Sequence, residues 1–376
     1  MLFGVYYLVN TTEKRDLYKE FQRILIVRTD RIGDVILTLP MIKVLKRQFP
    51  SVKISMLIRQ YTAEIVKHHS HVDEMVFYDR HHQPVPFFHL LALLRSKKYD
   101  VVFHTHPRFR VALLTWLAGI PIRVGTGYRW YSFLFNKKIY QHRKDARYHE
   151  LEYNLNLLEA IDCPVVGTDV TPAISVRPAD AERVQQELIG LGVPADQRVV
   201  ILHPGSGGSA RDWSAEKFGE LGGRLAGLDN TKVVVTGGKE EHDLVSRVCD
   251  KIGNSVTPLV DVFNLSEFAA LAQRASLFIA NSTGMIHVAA AVGTPVIGLY
   301  SQITPLSAAR WGPYTKNKTI FSPVSMPVDC QKCDGRTLCE CMESIPVDEV
   351  FQAAVRMLAD HSAAEIKGSR KNVETL

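Results

Sequence analysis

The 376-residue sequence contains no apolar run near the roughly 20 residues that a membrane-spanning helix needs. Six cysteines in a chain of this length are too few for a fold that depends on disulfides. The composition, with 46% hydrophobic and 22% charged residues, excludes disordered and collagen-like chains. The apolar residues 1–9 are a poor signal peptide, because the stretch is short and has no basic flank before it. We therefore expect a cytoplasmic protein with about two domains.

Three nucleotide-binding signatures are also missing. No Gly-x-Gly-x-x-Gly is followed by an acidic residue about 20 positions later, which argues against an NAD-dependent oxidoreductase. No Gly-x-x-x-x-Gly-Lys-Ser/Thr is present, which argues against a P-loop. No Asp-x-Asp is available to hold a metal–diphosphate, so we expect no catalytic metal and no cofactor.

Positive charge is concentrated in the first half of the chain. Residues 1–170 hold 25 Lys and Arg against 16 Asp and Glu, whereas the whole chain has a net charge of +6. This asymmetry favours an anionic partner for the first half, although a solvated basic surface would give the same count. Nucleic acid is disfavoured, because the basic residues are scattered with little aromatic interleaving and the second half is mildly acidic.

Apolar, β-branched runs alternate with helical patterns, which predicts an α/β protein with parallel sheets. The alternation pauses near residues 165–180 and then restarts, so we expect two α/β halves. The predicted strands are residues 23–27, 52–58, 74–78, 100–104, 198–202, 232–235, 277–280 and 295–299. The predicted helices are residues 34–49 (broken near Pro40), 87–94, 112–118, 149–161, 215–226, 240–249 and 284–292.

The first chemically suggestive loop, residues 28–35, joins a strand to a helix. Ligands of open α/β sheets bind beyond the carboxyl ends of the strands, where this loop would lie. Gly33 would let a backbone approach closely. Asp34 stands where the helix begins, so it is a candidate general base or simply the helix N-cap.

Three loops of the second half could hold an anion. The loop at residues 203–213 offers backbone N–H groups and hydroxyls, with Arg211 as a fixed positive charge. A Gly-Gly turn at residues 237–238 is a weaker candidate. Residues 281–284 end a strand and start a helix, which forms a natural phosphate seat. His287 lies one turn into that helix, as either a packing residue or a ligand contact.

Four of the six cysteines cluster at Cys330, Cys333, Cys339 and Cys341. A Cys-x-x-Cys pair followed by two more suggests a structural zinc site, but the one-residue spacing of the second pair is poor for tetrahedral ligation. Buried thiols or a disulfide remain open alternatives.

Together these segments resemble glycosyltransferase family 9, which contains the ADP-heptose:lipopolysaccharide heptosyltransferases. The resemblance runs from about residue 23 to 358. It rests on residues 24–40 (ILIVRTDRIGDVILTLP), 203–207 (HPGSG), 281–287 (NSTGMIH), 293–300 (GTPVIGLY) and 341–345 (CMESI).

The resemblance implies a GT-B fold, in which two Rossmann-like domains face a central cleft. We accordingly expect an acceptor-binding domain at residues 1–165, a nucleotide-sugar-binding domain at 178–345, and a C-terminal helix at 346–376 that packs back on the first domain. It also implies an inverting, metal-independent transferase with Asp34 as general base. The implied partners are a nucleotide sugar, an anionic glycolipid acceptor and, transiently, the inner leaflet of the membrane.

Candidate binding residues follow from these motifs and from charge. Donor contacts are expected from Ser206, Gly207, Arg211, Gly238, Ser282, Thr283, Gly284 and His287. Acceptor contacts are expected from Arg31, His104, His106, Arg108 and Arg129.

Two departures from the family pattern bear on the donor. The family usually carries Lys before the tryptophan where this chain has Arg211, whose planar fork differs from an ammonium group. Ser282 stands where heptosyltransferases have an Asp that holds sugar hydroxyls, and a serine holds them more weakly. A different nucleotide sugar, a non-catalytic sugar-binding protein and a GT-B epimerase therefore remain alternatives.

Overall fold

The protein is described by a computed structural model that covers residues 21–325 and 339–373, with side chains described as far as Asp360. Within these residues the chain forms two parallel sheets of the same topology, each covered by helices. The sheets lie on either side of residues 165–177, the segment expected to join the domains.

In the described part of the first domain, six strands form a parallel sheet in the order β3-β2-β1-β6-β7-β8, beside a small antiparallel hairpin. The strands are β1 (Arg23–Arg28), β2 (Lys53–Ile58), β3 (Glu74–Phe77), β4 (Asp79–Arg80), β5 (Gln83–Pro84), β6 (Val101–His104), β7 (Ile122–Thr126) and β8 (Lys137–Ile139). The helices are α1 (Ile32–Ile36), α2 (Leu39–Gln48), α3 (Ala63–Val66), α4 (Phe87–Lys97), α5 (Phe109–Leu117) and α6 (Glu150–Leu155). Short 3₁₀ turns occupy Gln60–Thr62, Ser132–Leu134, Arg143–Asp145 and Asn156–Ile161.

The second domain repeats this arrangement in the order β11-β10-β9-β12-β13-β14. Its strands are β9 (Arg198–His203), β10 (Thr231–Gly237), β11 (Val256–Val260), β12 (Leu277–Asn281), β13 (Val296–Leu299) and β14 (Lys318–Phe321). Its helices are α7 (Pro178–Gly190), α8 (Ala215–Ala226), α9 (His242–Ile252), α10 (Leu265–Arg274), α11 (Gly284–Ala291), α12 (Ala308–Trp311), α13 (Glu340–Glu343) and α14 (Val347–Val373). Further 3₁₀ turns lie at Lys239–Glu241 and Thr304–Leu306.

The expectation of two parallel α/β halves is confirmed, and the helix predicted at residues 34–49 is broken as Pro40 suggested. Pro40 lies in the first turn of α2, where its missing N–H costs nothing. The helix predicted at residues 149–161 is α-helical only over Glu150–Leu155 and continues as the 3₁₀ turn Asn156–Ile161.

The C-terminal helix α14 packs differently from the expectation over the part whose side chains are described. Val350, Ala353, Ala354 and Leu358 are buried in the apolar core of the second domain, and the helix contacts α8. We expected it to pack back on the first domain. Any such contact beyond Asp360 stays a prediction.

The two domains touch where their central helices begin. In both sheets the strand order reverses beside the first strand, between β1 and β6 and between β9 and β12, and ligands of open α/β sheets bind at that position. Helix α1 packs directly on α11. The loops that follow β1 and β12 therefore meet across the cleft.

Candidate active site

The contact between the domains depends on two glycines. A Cβ on Gly33 would lie 2.7 Å from the ring atom Cδ2 of His287, closer than real side chains approach. A Cβ on Gly284 would lie 3.3 Å from the backbone nitrogen of Gly33. The first turn of α1 thus lies directly against the first turn of α11, and Asp34 is brought to the domain boundary.

Asp34 is not a helix cap. Arg31 occupies the N-cap position of α1, and no side-chain cap bond is present there. The Asp34 carboxylate instead pairs with the guanidinium of Arg28, while its backbone oxygen accepts a 2.8 Å hydrogen bond from the Thr38 hydroxyl. Burial raises the pKa of Asp34 to about 6, although the charge of Arg28 opposes this shift. The capping alternative is wrong, whereas the role of Asp34 as general base stays a prediction.

Arg28 is the buried centre of a carboxylate cluster. Its guanidinium donates from Nε to Asp30 Oδ1 at 2.9 Å and from Nη1 to Glu150 Oε1 at 3.2 Å, in addition to its pairing with Asp34. The side chain is 2% exposed. Burial disfavours its charge, but the surrounding carboxylates outweigh burial and raise the pKa of Arg28 further, so the cation is permanent.

Glu150 is held by three arginines. Besides Arg28, it pairs with Arg143, and its Oε2 accepts from Nε and Nη2 of Arg310 at 3.0 and 2.9 Å. Burial alone would raise the pKa of Glu150, but the three guanidinium groups lower it to about 2. Because Arg310 comes from α12 of the second domain, this carboxylate joins the two domains.

Two cavities open on either side of Asp34. The first, the α11 cavity, has a volume of about 350 Å³. It is lined by Arg31, Gly33, Asp34, Lys144, Ser209, Ser282, Thr283, Gly284, His287, Pro305, Leu306, Arg310 and Trp311.

The second, the β6 cavity, lies at the carboxyl end of β6, is closed on one side by α12 of the second domain and has a volume of about 650 Å³. It is lined by Arg28, Asp30, Asp34, His104, Thr105, His106, Pro107, Thr126, Tyr128, Arg129, Gln141, His142, Arg143, Lys144, Glu150, Leu157, Arg310 and Trp311. Asp34 lines both cavities, as do Lys144, Arg310 and Trp311. A group bound in one cavity and a group bound in the other would both lie beside the same carboxylate.

Four of the predicted donor residues, Ser282, Thr283, Gly284 and His287, line the α11 cavity at the start of α11. Thr283 is the N-cap and makes no side-chain cap bond. His287 is buried, and its Nδ1 has no hydrogen-bond partner. Burial lowers the pKa of His287 to about 3, so the ring is neutral. His287 lines the cavity although its unpaired Nδ1 is buried, so the ligand-contact interpretation of His287 stays a prediction.

The other predicted donor residues lie outside the linings of both cavities. Ser206 donates its hydroxyl to Asp212 at 3.0 Å. The backbone N–H groups of Gly207 and Gly238 donate to the two oxygens of Glu241, at 3.2 and 2.9 Å. An internal carboxylate thus binds backbone N–H groups of two loops that the sequence predicted, each separately, as candidates for holding an anion.

Arg211 has a buried Nε without a hydrogen-bond partner. It lines neither of the two cavities.

The predicted acceptor residues divide into three groups. His106, with Nδ1 3.6 Å from Asp30, and the exposed Arg129 line the β6 cavity. His104 also lines it, but its ring is buried, contacts Phe135 and lies 3.0 Å from the Thr115 hydroxyl, which is a packing role. Arg31 lines the α11 cavity rather than the β6 cavity. Arg108 is exposed and lines neither.

Burial lowers the pKa of both His104 and His106 to about 3, with nearby arginines adding to the shift. Both rings are therefore neutral near pH 7. Neither supplies a positive charge to the β6 cavity, which depends on its arginines and Lys144 for that charge.

Sequence reasoning missed Glu150 and Arg310 as parts of the site. Glu150 was read as one position of an amphipathic helix, and Arg310 belonged to no motif. The sequence did contain one signal. Arg28 follows four apolar residues at the end of a buried strand, and a buried cation requires carboxylate partners somewhere in the fold. The identity of those partners depends on distant segments, which the local pattern does not encode.

The zinc hypothesis is not settled by the described residues. Cys330 and Cys333 lie outside them, while Cys339 and Cys341 are buried in the second core. Among residues 21–325 and 339–360, no group of three or more His, Cys, Asp or Glu side chains is arranged to hold a metal ion. In the same part of the chain, no helix is both long and apolar enough to cross a bilayer.

The site can be compared with known proteins. Residues 87–339 match the sequence profile of glycosyltransferase family 9 (heptosyltransferase). Lipopolysaccharide heptosyltransferase 3 of Escherichia coli K12 is 27% identical over 348 residues, covering 87% of this chain and 96% of the relative.

Two solved structures share the fold. The glycosyl transferase family 9 protein of Veillonella parvula superposes with a TM-score of 0.80 at 23% identity, covering 91% of this chain and 99% of the other. The E. coli ADP-heptose lps heptosyltransferase II gives a TM-score of 0.73 at 19% identity, covering 91% and 100%. The two-domain architecture is thus the GT-B fold. With its cleft between two Rossmann-like domains and a profile match over most of its length, the chain belongs to glycosyltransferase family 9 and is a glycosyltransferase.

Proposed function

We propose that the protein transfers a heptose, or a related sugar, from a nucleoside-diphosphate donor to a hydroxyl of a lipopolysaccharide-core or related surface glycan. The position of Asp34 carries the proposal, because this one carboxylate borders both the α11 cavity and the β6 cavity. The match to a lipopolysaccharide heptosyltransferase over 87% of the chain favours lipopolysaccharide biosynthesis. ADP-heptose is the donor of first choice, because a structural neighbour is named for it.

In the proposed mechanism Asp34 is the general base. Its carboxylate takes the proton of an acceptor hydroxyl in the β6 cavity while that oxygen attacks the anomeric carbon of the donor. The new glycosidic bond forms as the bond to the diphosphate breaks, so the configuration inverts. A pKa of about 6 leaves the carboxylate ionised at pH 7 yet basic enough to accept the proton.

The α11 cavity is the proposed donor site. Arg31, Lys144 and Arg310 place positive charge on its walls, and the start of α11 offers free backbone N–H groups to the departing diphosphate. These groups can neutralise the leaving group without a metal, so we propose metal-independent transfer. Ser282 lines the cavity near the sugar position, where it would hold donor hydroxyls less strongly than a carboxylate.

The β6 cavity is the proposed acceptor site. Arg129 and Lys144 give its wall a positive charge that suits a phosphorylated or carboxylated glycan. Such a glycan carried on a lipid would require the enzyme to work at the inner face of the cytoplasmic membrane.

One alternative remains for the donor. A GT-B glycosyltransferase using another nucleotide sugar is favoured by Ser282. A non-catalytic sugar-binding protein, which the sequence left open, disagrees with the membership of the chain in a family of glycosyltransferases.

Calorimetric titration of the protein with ADP, UDP and GDP, all in EDTA, tests the proposal. We expect ADP to bind selectively, followed by transfer from ADP-heptose to a Kdo–lipid A acceptor in the same metal-free buffer. Selective binding of UDP or GDP would overturn the heptose donor. A strict requirement for added metal would overturn the metal-independent mechanism.

A further inference from the structure

Four large aromatic side chains are exposed together on the first domain. Phe109, Trp116, Trp130 and Phe133, here called the aromatic patch, are 40%, 48%, 73% and 68% exposed. Single exposed hydrophobic residues are common, but a contiguous exposed apolar surface usually marks an interaction site.

The patch is continuous over one helix and one turn. Phe109 and Trp116 are seven residues apart in α5 and therefore share a face of that helix. The Phe109 and Trp130 ring centroids are 4.7 Å apart. Trp130 and Phe133 lie three residues apart in successive 3₁₀-type turns, which places them on the same side.

Leu113, between the two α5 aromatics, packs on the cluster formed by Ala112, Tyr131, Leu134 and Phe135. The turn that carries Trp130 and Phe133 is therefore held against the same helix. The patch is a fixed surface rather than a set of separate loops.

The surroundings of the patch are strongly basic. Residues 101–149 contain nine Lys and Arg residues but Asp145 as the one acidic residue. Several of the cations are exposed and, among the residues that the structure describes, form no ion pair: Arg108, Arg129, Lys137, Lys138 and Lys144. Arg108 and Arg129 directly precede Phe109 and Trp130 in the chain, and this pairing of cations with exposed rings suits an anionic partner that is also apolar.

A bilayer containing anionic lipid has both properties. Aromatic rings settle at the level of the headgroups, and each Lys or Arg near an anionic leaflet contributes about 1 kcal/mol. A protein partner fits less well, because lysine is depleted from protein–protein interfaces.

The patch also adjoins the β6 cavity. Pro107 lines that cavity and Phe109 follows two residues later, while Arg129 lines it and Trp130 is the next residue. Two chain segments therefore lead directly from the cavity wall to the exposed rings.

We infer that the aromatic patch and its basic rim dock the enzyme on an anionic membrane surface, with the β6 cavity opening beside the lipid headgroups. The role of this docking in catalysis rests on the proposed function, in which the acceptor is a glycolipid. A lipid-linked glycan would enter the β6 cavity while its acyl chains remain in the bilayer. The docking itself requires neither donor nor acceptor.

Co-sedimentation of the full chain with vesicles tests the docking. We expect binding to vesicles of phosphatidylcholine with phosphatidylglycerol, little binding to phosphatidylcholine alone, and release at high salt. The double variant Trp130→Ser/Phe133→Ser should lower the partition coefficient about tenfold or more, since it removes two large apolar side chains from the interface. The variant Arg108→Glu, at the exposed residue before Phe109, should weaken binding to the anionic vesicles specifically.

A matched control comes from the second domain, where Ile189 and Leu191 are 50% and 42% exposed. The double variant Ile189→Ser/Leu191→Ser should bind vesicles like the wild type. Equal binding by the patch variant and the wild type, or an equal loss in this control, overturns the inference.

Transfer assays separate this inference from the proposed function. The patch variant should keep the wild-type rate with a lipid-free core oligosaccharide and lose rate with the same acceptor in vesicles. A wild-type protein without transferase activity that still shows patch-dependent vesicle binding would overturn the proposed function and leave the docking intact. A patch variant that loses rate equally with both acceptors would contradict the docking role.

Discussion

Arg310 of the second domain binds the buried carboxylate of Glu150 in the first, with its Nε and Nη2 atoms 3.0 and 2.9 Å from Oε2. The same carboxylate pairs through its other oxygen with Arg28, which holds Asp34. The contact between the two domains therefore helps to fix the position of the proposed base, through the ion pairs of Glu150 with Arg28 and of Arg28 with Asp34.

This linkage predicts that Glu150→Ala is strongly destabilising. Removing the carboxylate leaves the partly buried Arg143 and Arg310 without their anionic partner, and breaking a buried ion pair typically costs about 3 to 5 kcal/mol. Urea unfolding of the variant measures this loss. As a control, Asp169→Ala removes a carboxylate that is 68% exposed, pairs with Lys43 at 3.4 Å and accepts the backbone N–H of Thr171 at 3.0 Å, so it should cost about 1 kcal/mol or less. Equal losses in the two variants would contradict a structural role for the Glu150 cluster.

The Arg310→Lys variant should affect transfer more than folding. Lysine keeps the charge but cannot make both contacts of the guanidinium group with Glu150. The position of the second domain relative to Asp34 is then less firmly fixed. We expect kcat to fall about tenfold or more, with the melting temperature changed by only a few degrees. An unchanged kcat would show that this ion pair does not position the site.

The pH dependence should report Asp34 rather than a histidine. The carboxylate is protonated, and therefore inactive, below its pKa of about 6, so kcat/KM should rise with pH through an acid limb near pH 6. Burial lowers the pKa of His106 and His287 to about 3, so neither titrates in this range. A profile that is flat from pH 5 to 8 would contradict the assignment.

Glu150→Gln should move that acid limb to lower pH. The negative charge of Glu150 contributes to the raised pKa of Asp34. Its removal also leaves the positive charge of Arg28 less neutralised, so that Arg28 stabilises ionised Asp34 more strongly. Both effects favour ionised Asp34. A limb that stays in place or moves upward would contradict this electrostatic effect of Glu150 on the base.

The glycine contact between the domains gives a further prediction. In Gly33→Ala the new Cβ would collide with the ring of His287, forcing α1 away from α11 at a cost of about 1 to 3 kcal/mol. The kcat of transfer should also fall, because Asp34 follows Gly33 in α1 and would move with it. The matched variant Gly223→Ala, at an exposed position of α8 where a Cβ meets nothing within 4 Å, should be neutral or slightly stabilising. Comparison of kcat and melting temperature in the two variants checks this contact.

The sequence predicted most of the central strands and the loops that meet at the cleft, because buried parallel strands are apolar and end in small or polar residues. It did not predict β8 or β14, which are short, lie at the sheet edges and carry exposed lysines. It also did not predict β7, which lies inside the first sheet, or β11 at the edge of the second. Helix α10 was missed although Asn264 and Glu267 form a capping box at its start. That signal was present in the sequence and was not used.

The site was predicted unevenly for a physical reason. Residues of the strand-end loops, such as Asp34 and Ser282, could be placed because the topology brings the carboxyl ends of parallel strands together. Glu150 and Arg310 pair although they are 160 residues apart in the sequence. The hydrogen bond from the Gly207 backbone N–H to the Glu241 carboxylate depends on the loop conformation. No local pattern encodes either one.

The most direct test of the account is the Asp34→Asn variant, compared with wild type in transfer and in nucleotide binding. Asparagine keeps the size of the side chain but cannot take a proton, so kcat should fall about 10² to 10⁴-fold while the Kd of the nucleotide stays within about threefold. Asp169→Asn, at an exposed carboxylate that lines neither cavity, is the control and should retain most of kcat. Transfer by Asp34→Asn at the wild-type rate would contradict the central role of Asp34.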